Sequence, residues 1–340
     1  MSVFPPELWL KIFPLACTDG GGTGRALRLV SSAFRDLVHP FALQSLAVQG
    51  PKQILRFEYM LEHSPAAQGA ILYLYLSSEH PRMASGSSFR KTDTDWYVMV
   101  STGWLDDLAP FGTAKPGAIT VQHIENAVAR IINLVGPTLV TLSLHFTFLT
   151  RPSLLPEASL PRLEQLLVYG NYRALYRSSS NTPKLPSLWY LHISSPTRHP
   201  DEFIIELRHR APALTHLFIS EKCFAINRIA SAMGTVDDTN LTLPGPRVLF
   251  PKSLTTIFLE VEEGVTRRAE SIDDLATIDE IDHIDHFRRW AGETGALTGL
   301  SIHIVPRYFQ RWDDVAVAMK DWDERIAFGT TTGKGWRFES

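Results

Sequence analysis

One short hydrophobic pattern, apolar-x-x-apolar-x-apolar, recurs eight times along the 340 residues. The third to sixth copies are 24, 25 and 26 residues apart, and the first two are 28 apart. A single short strand cannot bury its apolar side chains alone, so units of nearly constant period stack their strands side by side. The pattern therefore predicts an α/β chain with a parallel strand ladder in chain order. The eight copies span residues 43–48, 71–76, 139–144, 163–168, 188–193, 214–219, 254–259 and 297–302.

The two faces of this ladder are expected to differ, because successive side chains of a strand point to opposite faces. The central apolar residues should share one core: Leu142, Leu166, Leu191, Leu217, Ile257 and Leu300. The residue that follows each of them should lie in a column on the opposite, concave face. That column reads Ala47, Tyr75, Ser143, Leu167, His192, Phe218, Phe258 and Ser301, with Tyr169, Tyr190 and His216 beside it.

The column is a candidate binding surface, since aromatic residues are enriched at binding hot spots. An alternative is that connecting loops cover these side chains, or that they pack against one another without a ligand. The column has few lysines or arginines, which argues against phosphate or nucleic acid as its ligand. The candidate substrate-binding residues are Tyr75, Leu167, Tyr169, Tyr190, His192, His216, Phe218 and Phe258.

Residues 1–46 have the pattern of a small helical module. A helix should begin near Pro5 and Pro6, because the fixed φ of proline suits the first turn of a helix. The carboxylate of Glu7 would also interact favourably with the positive end of the helix dipole. Apolar residues cover more than half of its circumference, so it needs a cover on more than one side. After a glycine-rich turn at 20–24, residues 25–39 keep helical spacing up to Pro40.

These elements resemble the F-box family, in the segments Phe4-Pro5-Pro6-Glu7-Leu8 and Leu29-Val30-Ser31-Ser32-Ala33-Phe34. Two features depart from the family pattern: a phenylalanine stands where leucine is usual, and the glycine-rich turn is long. The resemblance implies a three-helix module that binds a Skp-type cullin adaptor. An alternative is that the helices only cap the strand ladder. The adaptor-binding residues that the resemblance implies are Pro5, Leu8, Ile12, Val30 and Phe34.

The strand units themselves resemble irregular leucine-rich repeats over most of residues 43–305. The implied fold is an F-box followed by a leucine-rich-repeat solenoid, with domains at 1–46 and 47–310 and a cap and tail at 311–340. The wide gaps between some copies indicate insertions, with loops expected at 80–118 and 234–252. An amphipathic helix should close the end of the solenoid. It would present Trp312, Val315, Ala316, Met319, Trp322 and Ile326.

The sequence offers little for catalysis or metal binding. Cys17 and Cys223 are the only cysteines, which favours a reducing compartment, cytoplasmic or nuclear, over a disulfide-bonded one. A cluster of Asp279, Asp282, His283, Asp285 and His286 is better explained as a solvated helix than as a metal site. No nucleophile motif is present. The net charge of −3 gives no reason to expect a nucleic-acid or membrane partner. No apolar run is long enough for a membrane-spanning helix.

The two resemblances together imply a non-enzymatic substrate-recognition subunit of a cullin-RING, SCF-type ubiquitin ligase, of fungal type and without cofactor. The repeat domain would hold an unknown target protein near the ubiquitin-loaded enzyme. A leucine-rich-repeat scaffold unconnected with ubiquitination is the main alternative. A hydrolase that uses the histidine and aspartate cluster is a more distant one.

Overall fold

The computed structural model describes residues 4–78, 120–146, 159–169, 185–194, 207–221, 250–262, 288–289, 291–296 and 299–307. The described residues up to 146 belong to one compact unit, and those from 159 onward belong to a second. The first unit therefore includes both the helices predicted for 1–46 and the first three strands. The cap helix after 311, the acidic segment near 280, the loop predicted at 80–118 and residues 234–249 of the loop predicted at 234–252 lie outside the described residues.

The first unit begins with three helices, α1 (Pro6–Ala16), α2 (Gly22–Val30) and α3 (Ser32–Val38). The run predicted as helical after the glycines is broken at Ser31, whose backbone is extended (φ −164°, ψ 168°). The Ser31 hydroxyl accepts a hydrogen bond from the Phe34 N–H at 3.2 Å and so caps α3. The serine thus allows two short helices to turn against each other instead of forming one long helix.

The three helices enclose a small core of their own. Phe13, Cys17 and Val38 are buried there, and half-buried apolar residues of α1, α2 and α3 pack around them. The ring centroids of Trp9 and Phe34 are 5.0 Å apart, and those of Phe13 and Phe34 are 5.8 Å apart, both edge to face. Aromatic pairs of this geometry add to the stabilisation from area burial.

The glycine-rich segment, predicted as a flexible turn, lies against the first strand, β1 (Ser45–Gln49). The Gly20 N–H donates to the Ser45 hydroxyl at 3.1 Å, and the Ala47 N–H donates to the Gly20 carbonyl at 3.4 Å. The Gln44 side chain also donates to the Pro14 carbonyl at 2.9 Å. The helices are therefore fixed to the start of the strand ladder by hydrogen bonds at Pro14 and at Gly20.

Replacing Gly24 by alanine should destabilise this junction. A Cβ at position 24 would lie 2.7 Å from the Ala42 carbonyl oxygen and 2.9 Å from its Cα, and neither backbone atom can move without shifting the chain. Overpacking of this kind costs about 1–3 kcal/mol. Chemical denaturation of Gly24→Ala should show that loss. Gly69→Ala is the matched control, because nothing lies within 4 Å of its Cβ position; an equal effect of the two substitutions would contradict the close contact.

The rest of the first unit alternates helices with strands: α4 (Pro51–His63), α5 (Pro65–Ala70), β2 (Tyr73–Ser77), α6 (Val121–Val135) and β3 (Thr141–His145). Strands β1, β2 and β3 pair in parallel, with Leu46, Leu74 and Leu142 in register. A capping box between Thr120 and His123 begins α6, the helix that the sequence predicted there. No described helix is long and apolar enough to cross a lipid bilayer.

The second unit holds strands β4 (Gln165–Tyr169), β5 (Tyr190–Ser194), β6 (His216–Glu221), β7 (Thr256–Glu262) and β8 (Ser301–Arg307). They follow the chain order, and each pairing from β4 to β8 is parallel. The protein is thus mixed α/β, and the predicted parallel pairing in chain order is confirmed within each unit. The predicted core residues Leu142, Leu166, Leu191, Leu217 and Ile257 are fully buried.

The prediction for the last strand is wrong by two residues. Ile302, not Leu300, is the register partner of Ile257, and His303, not Ser301, is the partner of Phe258. Leu300 precedes the strand and is only half-buried. The cause is the turn at Gly299, which adopts a positive φ of 69° and donates its N–H to the Gly295 carbonyl, so that β8 begins later than the pattern indicates.

Candidate functional site

Helices α1 and α2, with Phe4 just before α1, expose a set of large apolar side chains, here called the apolar helix surface. Its members on α2 are the most exposed, Leu29 at 74% and Val30 at 64%, and on α1 Leu8 and Ile12 are exposed by 41% and 44%. Soluble proteins rarely leave so many such side chains together on one small module. The complete surface comprises Phe4, Leu8, Leu10, Ile12, Leu15, Leu29 and Val30.

The helix geometry explains which apolar side chains are exposed. An adjacent face of α1 carries Trp9 and Phe13, which pack against α3 and supply the core of the module. Leu8, Ile12 and Leu15 recur at intervals of four and three residues, so they share a different stripe of the same helix. The aromatic side chains of Trp9, Phe13 and Phe34 pack against one another in this core. The exposed stripe is therefore separate from the residues that form this core.

Four of the five residues predicted to bind an adaptor are accessible: Pro5, Leu8, Ile12 and Val30 are exposed. The exception is Phe34, which is half-buried between Trp9 and Phe13. Its position at the start of α3 directs the ring into the module core. Phe34 therefore supports the helices that carry the surface, and Leu29, which was not among the five, is its most exposed member.

Two arginines border the α2 end of this surface. The Arg35 Nε donates to the Arg28 carbonyl at 3.3 Å, which holds the α3 side chain against the last turn of α2. Burial, and then the nearby positive charge of Arg35, lower the pKa of Arg28. Arg28 and Arg35 are therefore close to each other, next in sequence to Leu29 and Val30 in the case of Arg28.

The predicted column exists, with its side chains stacked across neighbouring strands of the second unit. Ring centroids are 4.4 Å apart for His192 and Phe218, and 5.9 Å apart for Phe218 and Phe258. His303 continues the stack 5.0 Å from Phe258, with the two ring planes only 20° apart. Tyr190 packs beside Phe218 and Phe258 in the same cluster.

The column is buried over most of its length, as expected from the alternative in which its side chains are covered or pack against one another. Seven of the eight candidate residues are buried, and the eighth, His216, is half-buried. The accessible end is at β8, where His303 and Ser301 are exposed. The seven buried candidates are Tyr75, Leu167, Tyr169, Tyr190, His192, Phe218 and Phe258.

Three polar side chains in the second unit, those of Tyr169, His192 and Ser220, form hydrogen bonds with one another along the column. His192 is fully buried, its Nδ1 lies 3.4 Å from the Tyr169 hydroxyl, and its Nε2 lies 3.0 Å from the Ser220 hydroxyl. Both nitrogens of the imidazole are thus hydrogen-bonded to neighbouring strands. Burial also lowers the pKa of His216, so this ring is neutral near pH 7. The hydrogen bonds of His192 therefore connect β5 with β4 and β6 within the column.

Nucleophilic and metal-binding groups are scarce in the described part of the chain. Burial, and to a smaller extent Asp19, raises the pKa of the Cys17 thiol to about 11, so the sulfur is protonated at neutral pH and unreactive. No group of three histidine, cysteine, aspartate or glutamate residues within the described ranges could hold a metal ion. The aspartate and histidine cluster at 279–286 lies outside those ranges.

No protein-family model, curated protein or solved structure matches this chain. Its function is therefore inferred from its own residues and contacts.

Proposed function

We propose that this protein is a substrate-recognition subunit of a cullin-RING ubiquitin ligase, with an F-box formed by α1, α2 and α3. The observation that carries the proposal is the apolar helix surface on a module that already has its own core. Full burial of a leucine-sized side chain stabilises by about 1.5–3 kcal/mol. Partial exposure of seven such residues leaves on the order of 5 kcal/mol for a partner to recover before the costs of association.

The mechanism would be tethering. One surface binds the Skp-type adaptor, the strand-rich remainder binds a target, and transfer of ubiquitin accelerates because the target is held at high effective concentration. Tethering requires that the adaptor-binding helices be firmly attached to the strands that would bind the target. The hydrogen bonds of Gly20 with Ser45 and Ala47 support it, because they fix the helices to the first strand.

The fold that we propose for the remainder is a leucine-rich-repeat solenoid. Its support is the parallel pairing in chain order within each unit and the buried leucines at equivalent register positions. The target is proposed to bind near β8, where the column is accessible at His303 and where the half-buried Trp189 and Val305 adjoin the aromatic cluster. The buried middle of the column would give this site a rigid base.

A second candidate function has one observation in its favour. The contacts that join the helices to β1 are also those expected of a helical cap on a repeat scaffold with no link to ubiquitin. A cap, however, has no use for so many large apolar side chains left exposed. Adaptor binding separates the two functions.

The test is purification of the full-length tagged chain from cells with and without a proteasome inhibitor. The ligase subunit should retain a Skp-type adaptor in both conditions, and a target should accumulate only when degradation is blocked. Adaptor retention that resists washing would favour the ligase function. Recovery of a target without any adaptor in either condition would favour the scaffold.

A further inference from the structure

The break between α2 and α3 occurs without glycine or proline. Residues 25–39 keep helical spacing and contain neither of these residues, which are the usual causes of a sharp break in a helix. The backbone nevertheless leaves the helical region at Ser31, where φ is −164° and ψ is 168°. Serine favours the N-cap of a helix, because its hydroxyl accepts a hydrogen bond from the backbone of the first turn. The contacts of Ser31 are therefore the explanation of the break.

Hydrogen bonds satisfy backbone groups on both sides of this break. The Ser31 hydroxyl accepts from the Phe34 N–H at 3.2 Å, and the Ser31 carbonyl accepts from the Arg35 N–H at 2.9 Å. On the other side, the Arg35 Nε donates at 3.3 Å to the Arg28 carbonyl, in the last turn of α2, where the helix itself supplies no donor. The first of these contacts requires a hydrogen-bond acceptor in the side chain at position 31.

The break decides which way Val30 faces. Successive residues of an α-helix are about 100° apart around its axis, so in a continuous helix Val30 and Phe34 would be about 40° apart. Phe34 packs in the core of the module, whereas Val30 is 64% exposed. A continuous helix that kept Phe34 in the core would therefore turn Val30 toward the core as well. Leu29 would be about 140° from Phe34 and would stay exposed in either arrangement.

We propose that Ser31 is a positioning residue for the adaptor-binding surface: its cap on α3 maintains the break, and the break adds Val30 to the apolar helix surface. This inference rests on the proposed function and identifies a residue that builds the docking site. Ser31 acts through Val30 and needs no contact with the partner. The competing role is a direct contact, since Ser31 is itself exposed.

The inference is tested by titrating purified Skp-type adaptor into the full-length protein with alanine, glycine or asparagine at position 31. Ser31→Ala removes the cap and favours a helix, so it should weaken binding about tenfold, which corresponds to the burial of one valine. Ser31→Asn retains a capping group, and Ser31→Gly disfavours a continuous helix. Both should bind like the wild type. A direct contact of the hydroxyl would instead make the glycine variant as weak as the alanine variant.

Labelling of an introduced thiol reports the position of residue 30 without any adaptor. The thiol of Val30→Cys should react readily with iodoacetamide when residue 31 is serine, glycine or asparagine, and about tenfold more slowly when it is alanine. Leu29→Cys is the matched control, and it should react equally in all four backgrounds. Mass spectrometry distinguishes these sites from Cys17 and Cys223.

The outcomes separate this inference from the proposed function. Equal labelling at position 30 in the serine and alanine backgrounds would overturn the inference, and so would equal loss of binding in the alanine and glycine variants. If labelling follows the expected order but the wild type binds no adaptor, the positioning of Val30 stands and the proposed function fails. Thermal melts identify folded variants, and Ser31→Gln, a helix former that caps poorly, replaces an alanine variant that does not fold.

Discussion

Aspartates at both Leu8 and Ile12 should abolish adaptor binding by the full-length protein while leaving its thermal stability close to that of the wild type. The two side chains are exposed by 41% and 44% on one stripe of α1, away from the aromatic core. In a complex both positions become buried, and an unpaired carboxylate buried in an apolar interface costs several kcal/mol. Two of them should weaken binding by at least about 100-fold.

Calorimetric titration with the adaptor measures this effect, and Val121→Asp provides the control. Val121 is also an exposed apolar residue, but it lies in the first turn of α6, where a carboxylate suits the helix dipole. The control variant should bind like the wild type. Unchanged binding by the Leu8 and Ile12 double variant would exclude this surface as the docking site.

Replacing Leu191 by alanine should cause the largest loss of stability, about 2–5 kcal/mol. Leu191 is fully buried in β5, with Leu166 of β4 and Leu217 of β6 as its register partners. Parallel strands are close together and packed on both sides, so the structure can close little of the cavity that the substitution leaves. Urea denaturation followed by tryptophan fluorescence would report the loss.

Leu29→Ala is the matched substitution for comparison, because the same methyl groups are removed from a side chain that is 74% exposed. Its effect on stability should stay within about 0.5 kcal/mol. A loss below about 1 kcal/mol for Leu191→Ala would show that this position is not packed as described. A large loss for Leu29→Ala would show that the apolar helix surface is covered within the chain.

The sequence was sufficient to predict the register of seven strands. The prediction for the eighth strand failed for a specific reason. A shift of two residues keeps every side chain on the same face, so the hydrophobic pattern cannot distinguish Leu300 from Ile302 as the core residue. The turn with positive φ at Gly299 places the start of β8 at Ser301, so that Ile302 is the register partner of Ile257. A glycine in the sequence permits such a turn without requiring it.

The burial of the column could not be predicted, because alternation assigns a face to each residue but says nothing of what covers that face. His192 illustrates this limit: its position in the column was predicted, whereas its hydrogen bonds to Tyr169 and Ser220 join three strands of the fold. Phe34 shows the same limit in a helix. Its spacing marks it as apolar, but only packing decides that Phe34 faces Trp9 while Val30 faces outward.

The contact of Gly20 with β1 also protects the protein from self-association. The edge strand of a sheet has unpaired N–H and C=O groups that can pair with an extended segment of another molecule. This edge-to-edge pairing leads to aggregation. The Ala47 N–H, in the middle of β1, donates instead to the Gly20 carbonyl, and the Ser45 hydroxyl accepts from the Gly20 N–H. Strand fragments that begin after the helices would lack this cover, so they should aggregate where the full-length chain stays monodisperse.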